Sequence, residues 1–220
     1  MKKILIPALA LCSFGGFGQT TITIEEKTVA IDGVSRNSLT VTIPGGNTDD
    51  IKKSWKKQLK DLKGKVSDKT IIFGDDCKSK EMGDNSFDIY SVVEEANEAG
   101  VRLVVAFDLG GAYLSTANHP DRYPAGEKIV HDFAVEQTKE VVRGEIEAAT
   151  KSLDGFEKDL GGLAKDKAGF EKDIADYEKK IQEAKLAIEK NVNSQVVKQK
   201  EIDGMKAVLK DLDAKLKSVK

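Results

Sequence analysis

The sequence predicts an α+β protein: a small antiparallel sheet domain with one amphipathic helix, followed by a long C-terminal helical coiled coil. Three observations predict it. Before residue 125, short runs alternate apolar and polar residues with period two, and turn residues separate them. After Pro124 there is no proline, and Ala, Glu, Lys and Leu become frequent. From Ile146 onward, apolar residues recur at spacings of three and four, which is the heptad signature of a coiled coil.

Three segments follow from this: residues 1–18, 19–125 and 126–220. The first opens "MKKILIPALALCSFGGFGQ". Lys2 and Lys3 precede an uncharged apolar run from Ile4 to Phe14, and Gly16 and Gly18 are small residues before Gln19. This is the pattern of a secretory signal peptide cleaved after Gly18. The run is too short to span a bilayer, which takes about 20 apolar residues. Lipidation at Cys12 is disfavoured, because bulky Leu11 stands where a small residue is usual. The glycine–glutamine junction resembles export signals of Gram-negative envelope proteins of the Bacteroidetes type, a likeness confined to these few residues. The expected destination is the periplasm or beyond.

Loss of Lys2 and Lys3 takes the formal charge from −2 to −4. A mildly acidic chain has no electrostatic attraction for nucleic acid, which is not expected as a partner. Cys77 is then the sole cysteine, so no intramolecular disulfide forms despite an oxidising address. With 33% charged and only 6% aromatic residues, the composition favours long solvated helices over one large core.

Within 19–125, "TITIEEKTVAI" (21–31) and "SLTVTI" (38–43) alternate as half-buried strands do. A helix follows over 48–63, with Thr48 as the expected N-cap, Asp49 and Asp50 in its first turn and Gly64 at its end. Ile51, Trp55, Leu59 and Leu62 share one face. "KTIIFG" (69–74) reads as a strand. Residues 87–96 and 101–109 read as two more, paired as a hairpin through Asn97–Gly100. Ferredoxin-like and helix-grip sheets both fit this order. The loop "GGAYLSTANHPDRYPAG" (110–126) leads to a helix from Glu127, whose Ile129, Phe133, Val141 and Val142 are placed to cover the sheet.

The seam of the C-terminal region comprises Ile146, Ala149, Leu153, Phe156, Leu160, Leu163, Lys167, Phe170, Ile174, Tyr177, Ile181, Ala184 and Ile188. Lys167 is its one charged position. The register returns at Ile202, Met205, Leu209, Leu212, Leu216 and Val219, across polar Asn191, Gln195 and Lys198. Two architectures fit: an antiparallel hairpin turning at "NVNS" (191–194), or a single helical rod. The polar gap with its turn-forming residues favours the hairpin. The near-repeat of GFEKDL (155–160) as GFEKDI (169–174) reflects the same helix, since fourteen residues make two heptads. Gly155, Gly161, Gly162 and Gly169 all fall outside the seam, and the Gly161–Gly162 pair is the expected place for bending.

Candidate chemistry is sparse. Lys52, Lys53, Lys56, Lys57, Lys60 and Lys63 flank the apolar stripe containing Trp55. Contact with an anionic lipid surface or polymer is the minor reading, and the solvated outer face of a core helix the major one. Asp75, Asp76, Glu81 and Asp84 lack the spacing of a cation-binding loop, so no metal is expected. Cys77 with His119 or His131 shows no orienting third group, and a lone thiol reads as a small buried hydrophobe. No cofactor cradle follows Gly110–Gly111. The candidate ligand-binding residues are Trp55 on the helix and Tyr113, His119, Arg122 and Tyr123 in the long loop.

The expected role is an exported, non-enzymatic envelope protein. An α+β docking or binding domain would be carried by a coiled-coil arm that spaces it, meets a protein partner or self-associates. The alternative is a small-molecule-binding or hydrolytic domain with an accessory coiled coil.

Overall fold

The computed structural model describes residues 21–218, so the expected signal peptide, its cleavage site and Val219 lie outside the described residues. Strands β1 (Ile24–Ile31) and β2 (Val34–Ile43) form a hairpin. Asp32 (φ 52°) and Gly33 (φ 75°) turn it, the Asp-Gly pair with two positive φ angles that suits the twist of a two-residue hairpin loop. Helix α1 (Thr48–Asp61) follows, then β3 (Lys65–Asp68), β4 (Ile72–Cys77), β5 (Phe87–Glu95) and β6 (Val101–Asp108). Helix α2 runs from Tyr123 to Ser218.

The six strands make one sheet in the order β1-β2-β6-β5-β4-β3, and every neighbouring pair is antiparallel. The chain crosses once, from β2 through α1 to the far edge at β3, and then meanders back until β6 pairs with β2. A ferredoxin-like sheet requires two strand–helix–strand crossovers, so that arrangement is excluded.

Several boundaries move relative to expectation. Asn47, not Thr48, caps α1: its side-chain oxygen accepts the backbone N–H groups of Asp49 (3.0 Å) and Asp50 (3.3 Å). At the other end Lys63 takes the left-handed position (φ 66°). Lys63 N–H bonds Lys60 O (2.9 Å) and Gly64 N–H bonds Leu59 O (3.0 Å), a Schellman pair one residue before the expected glycine stop. The short edge strand β3 was not foreseen, because "KVSD" carries a single apolar residue. The strand expected at 69–74 begins at Ile72 instead and continues through Asp75 and Asp76 to Cys77, with a register shift between Gly74 and Cys77. Helix α2 starts at Tyr123, four residues before Glu127, and Pro124 sits in its first turn, where a missing N–H costs nothing.

The core lies on one face of the sheet. Leu39, Val41 and Ile43 of β2, Ile89 of β5 and Leu103, Val105 and Phe107 of β6 meet Ile51, Trp55 and Leu59 of α1 and Ile129, Val130, Phe133 and Ala134 of α2. Trp55 stands edge-on to Phe133, ring centres 4.8 Å apart. Val141 is half-buried, but Val142 is exposed, so the cover provided by α2 is shorter than the sequence pattern suggests. The opposite face buries a second, smaller cluster: Ile31, Val104 and Ala106, flanked by Val29, Ile71, Tyr90, Val92 and Tyr113.

The chain divides into two units, residues 1–148 and 149–220. The second is helix alone. The hairpin expected at residues 191–194 does not form: α2 continues through this stretch. Ser194 Oγ donates to Lys190 O (3.0 Å) and Gln195 Nε2 donates to Asn191 Oδ1 (2.6 Å), both at i,i+4 spacing. The residues read as turn formers thus satisfy themselves on the helix, and neither Gly nor Pro stands between 170 and 203 to break it. The helix also carries through Gly161–Gly162.

Candidate functional site

The loop after β6 is held to the sheet by side chains of the first hairpin. Leu114 N–H returns to Phe107 O (2.9 Å), which sends Leu114 into the core while its neighbour Tyr113 turns to the opposite face. There Arg36 of β2, buried to 7% exposure, places its guanidinium carbon 4.2 Å from the Tyr90 ring centre. Its Nε donates to the Tyr113 hydroxyl (3.1 Å), and its Nη1 donates to the carbonyl oxygens of Ile31 and Val34. Asn37 Nδ2 donates to Leu114 O (2.8 Å) and to Glu26 Oε1 (2.7 Å). Glu26 also accepts Thr116 N–H (3.2 Å). Burial pushes the Glu26 carboxyl up, but these bonds from Asn37 and Thr116 outweigh it and hold the group below its ordinary range.

The five candidate ligand residues do not converge. Trp55 is fully enclosed and belongs to the core. It donates its indole N–H to Ser91 Oγ (2.7 Å), and no surface of it is open to a ligand. Tyr113 belongs to the opposite face with Arg36 and Tyr90. His119, Arg122 and Tyr123 form the entry to α2: His119 O accepts the N–H groups of Arg122 (3.1 Å) and Tyr123 (2.9 Å). His119 Nδ1 is enclosed without a partner among the described residues. Tyr123 packs against the main core, and burial, then Glu26 and Glu127, push its phenol up. These residues shape a connector anchored at both ends.

Cys77 is fully buried, and a Cβ added at Gly64 or Gly74 would come within 2.5 or 2.9 Å of its Sγ. Burial, then the charges of Asp88, Asp75 and Asp76, push its thiol up to about 12, so it is held protonated and poorly nucleophilic. Asp76 is tied to Lys65 (3.0 Å) and accepts from Ser86 Oγ (3.3 Å). Asp88 and Asp108 face each other across β5 and β6, and each accepts a backbone N–H, from Asp76 and Gly110 respectively. Among the described residues no group of three His, Cys, Asp or Glu side chains is placed to hold a metal.

The lysine face of α1 borders an open depression of about 580 Å³ against β3, lined by Lys53, Lys56, Lys57 and Lys60 together with Asp50 and Asp68. Lys56 is already paired with Asp68 (2.6 Å). With Trp55 enclosed, this face has no aromatic anchor of the kind membrane-surface helices present.

The most extensive unsatisfied feature is the seam. Every described residue from Val142 to Ser218 is exposed. Leu153, Phe156, Leu160, Leu163, Phe170, Ile174, Tyr177, Ile181, Ile188, Ile202, Leu209, Leu212 and Leu216 each expose 48–73% of their surface. Ile146, at the seam's start, is likewise exposed. Such an apolar stripe marks an interaction surface. Sequence reasoning missed the exposed apolar residues Val192 and Val208, which flank the seam, and Leu186, Val196 and Val197, which lie on the outer face of the helix. Their signal was present as apolar residues at positions other than a and d. No helix among the described residues is long and apolar enough to cross a membrane.

Compared with protein-family models, curated proteins and solved structures, the chain matches none.

Proposed function

We propose that this chain is an exported, non-enzymatic docking protein, in which an α+β unit is carried by a helical arm that self-associates through its apolar seam. One observation carries the reading: thirteen large apolar side chains from Leu153 to Leu216 recur at heptad spacing on a helical stretch whose every described residue from Val142 to Ser218 is exposed. Helices in proteins draw most of their stability from packing of an apolar face, which argues for a covering partner on this one. The residues 1–18 support export to the periplasm or beyond. The enclosed Trp55 and the protonated Cys77 speak against a pocket between the sheet and α1, or a thiol hydrolase, as the alternative.

Sedimentation of residues 19–220 at about tens of micromolar tests this. The expected result is a concentration-dependent dimer or higher species that Leu163→Asp, placing a charge in the seam, returns to monomer. A wild-type chain that stays monomeric across that range overturns the self-association reading.

A further inference from the structure

We infer that the arms pair antiparallel, two copies of residues 149–218 running in opposite directions. This deepens the self-association reading and rests on it. The heptad spacing fixes which positions flank the seam. Leu153, Leu160, Lys167, Ile174, Ile181 and Ile188 precede their seam partners by three residues and are a positions, whereas Phe156, Leu163, Phe170, Tyr177 and Ala184 are d positions. The residue after each d and the residue before each a then lie along the edges of the interface, where charge chooses partner and orientation.

Those edge residues divide sharply along the chain. Between 152 and 178 they include Glu157, Asp159, Asp166, Glu171, Asp173 and Glu178, and no base. From 180 to 215 the charged ones are Lys180, Lys185, Glu201, Lys206, Asp213 and Lys215, four bases against two acids. In any parallel in-register assembly, the residue before an a position meets the residue five places later on the neighbouring chain. That apposes Asp166 with Glu171, Asp173 with Glu178 and Lys180 with Lys185: three successive like-charged contacts, each occurring twice in a dimer. Glu201 with Lys206 is the one attractive contact of this kind. Like charges at such sites work against pairing.

Reversing one chain, with the crossover between residues 182 and 183, replaces most of this conflict with attraction, because each edge then meets the same edge of its partner. Glu178 faces Lys185 and Glu157 faces Lys206, each twice in the pair, and Asp166 with Glu201 is the like-charged contact that is left. In that register Lys167 shares a layer with Lys198, and the next layers set Gln195 against Phe170 and Asn191 against Ile174, so reversal gathers the polar seam positions in neighbouring layers. In a parallel pair Lys167 would face its own copy, far from the other three.

Spin labels at outward positions read the orientation directly. Lys158→Cys, Lys179→Cys and Lys200→Cys are introduced singly into a Cys77→Ala chain of residues 19–220, and pulsed dipolar distances are measured between copies. For a crossover between residues 176 and 183, the antiparallel pair gives a short distance at 179, and separations of more than about 50 Å at 158 and at 200, from a rise of 1.5 Å per residue. Short and equal distances at all three positions overturn the orientation while leaving self-association standing. Absence of any dipolar coupling in a chain that sediments as a monomer overturns both. A second variant guards against an uninformative failure: Glu171→Lys, Glu178→Lys and Lys185→Glu together make all three parallel contacts attractive. Conversion to short distances at all three labels in this variant supports the charge pattern as the cause, and unchanged long distances count against it.

Discussion

Trp55 donates its indole N–H to Ser91 Oγ over 2.7 Å, and Ser91 Oγ in turn donates to Ile72 O over 2.9 Å. This relay joins α1 to β5 and β4 inside the core, where all the polar atoms are sealed from water. Ser91→Ala leaves the indole N–H buried and unpaired. Equilibrium unfolding followed by Trp55 fluorescence should show a loss of about 1–3 kcal/mol. A change under about 0.3 kcal/mol would mean that water reaches the indole and that the core is open there.

Arg36 holds the loop after β6 by stacking on Tyr90 and bonding to Tyr113. Arg36→Lys removes the planar stack and the side-bonded fork, so it should destabilise nearly as much as Arg36→Met, by about 1.5–3 kcal/mol. The same variants should speed proteolysis within residues 110–122. A lysine variant that behaves as wild type would show that charge alone suffices.

Glu26 predicts an acid response of the same loop. Its carboxyl is lowered from an ordinary 4.5, so the ionised form is favoured by the fold. The contribution is complete above that value and fades as pH falls through the lower folded value. The protection of the Thr116 amide against exchange, relative to a free amide at the same pH, should therefore fall as pH drops below about 4.5, and Glu26→Gln should flatten this response.

Cys77 predicts the opposite end of the scale. Its thiol rises from 9.0 to about 12 in the fold, whereas an unfolded thiol ionises near the ordinary value. The neutral form is favoured, so this contribution is complete below pH 9 and is lost as pH climbs towards 12. A thiol reagent at neutral pH should label Cys77 only at the rate of unfolding. Rapid labelling of the folded chain would contradict its burial.

Gly126 sits where α2 first meets the sheet, and a Cβ there would lie 2.2 Å from Leu114 Cδ2. Gly126→Ala should cost about 1–3 kcal/mol by overpacking, despite the better helix propensity of alanine. Gly155→Ala, with nothing within 4 Å of the added carbon, should instead stabilise the helix, by about 1 kcal/mol. Circular dichroism melts of the two variants should move in opposite directions.

The α+β class, α1 with its buried Ile51, Trp55 and Leu59, the β5–β6 hairpin and the heptad spacing were all legible in the sequence. Each is written locally, in periods of two, 3.6 or seven residues and in turn chemistry that involves only near neighbours. Only the tertiary structure decided that Trp55 bonds Ser91 and that Tyr113 lies on the opposite face, because that depends on which strands become neighbours. The same holds for the Arg36–Tyr113 contact, whose partners are 77 residues apart. At residues 191–194 local signals were balanced: the residues that form turns also bond along a helix, and the continuous backbone settled the choice for the helix.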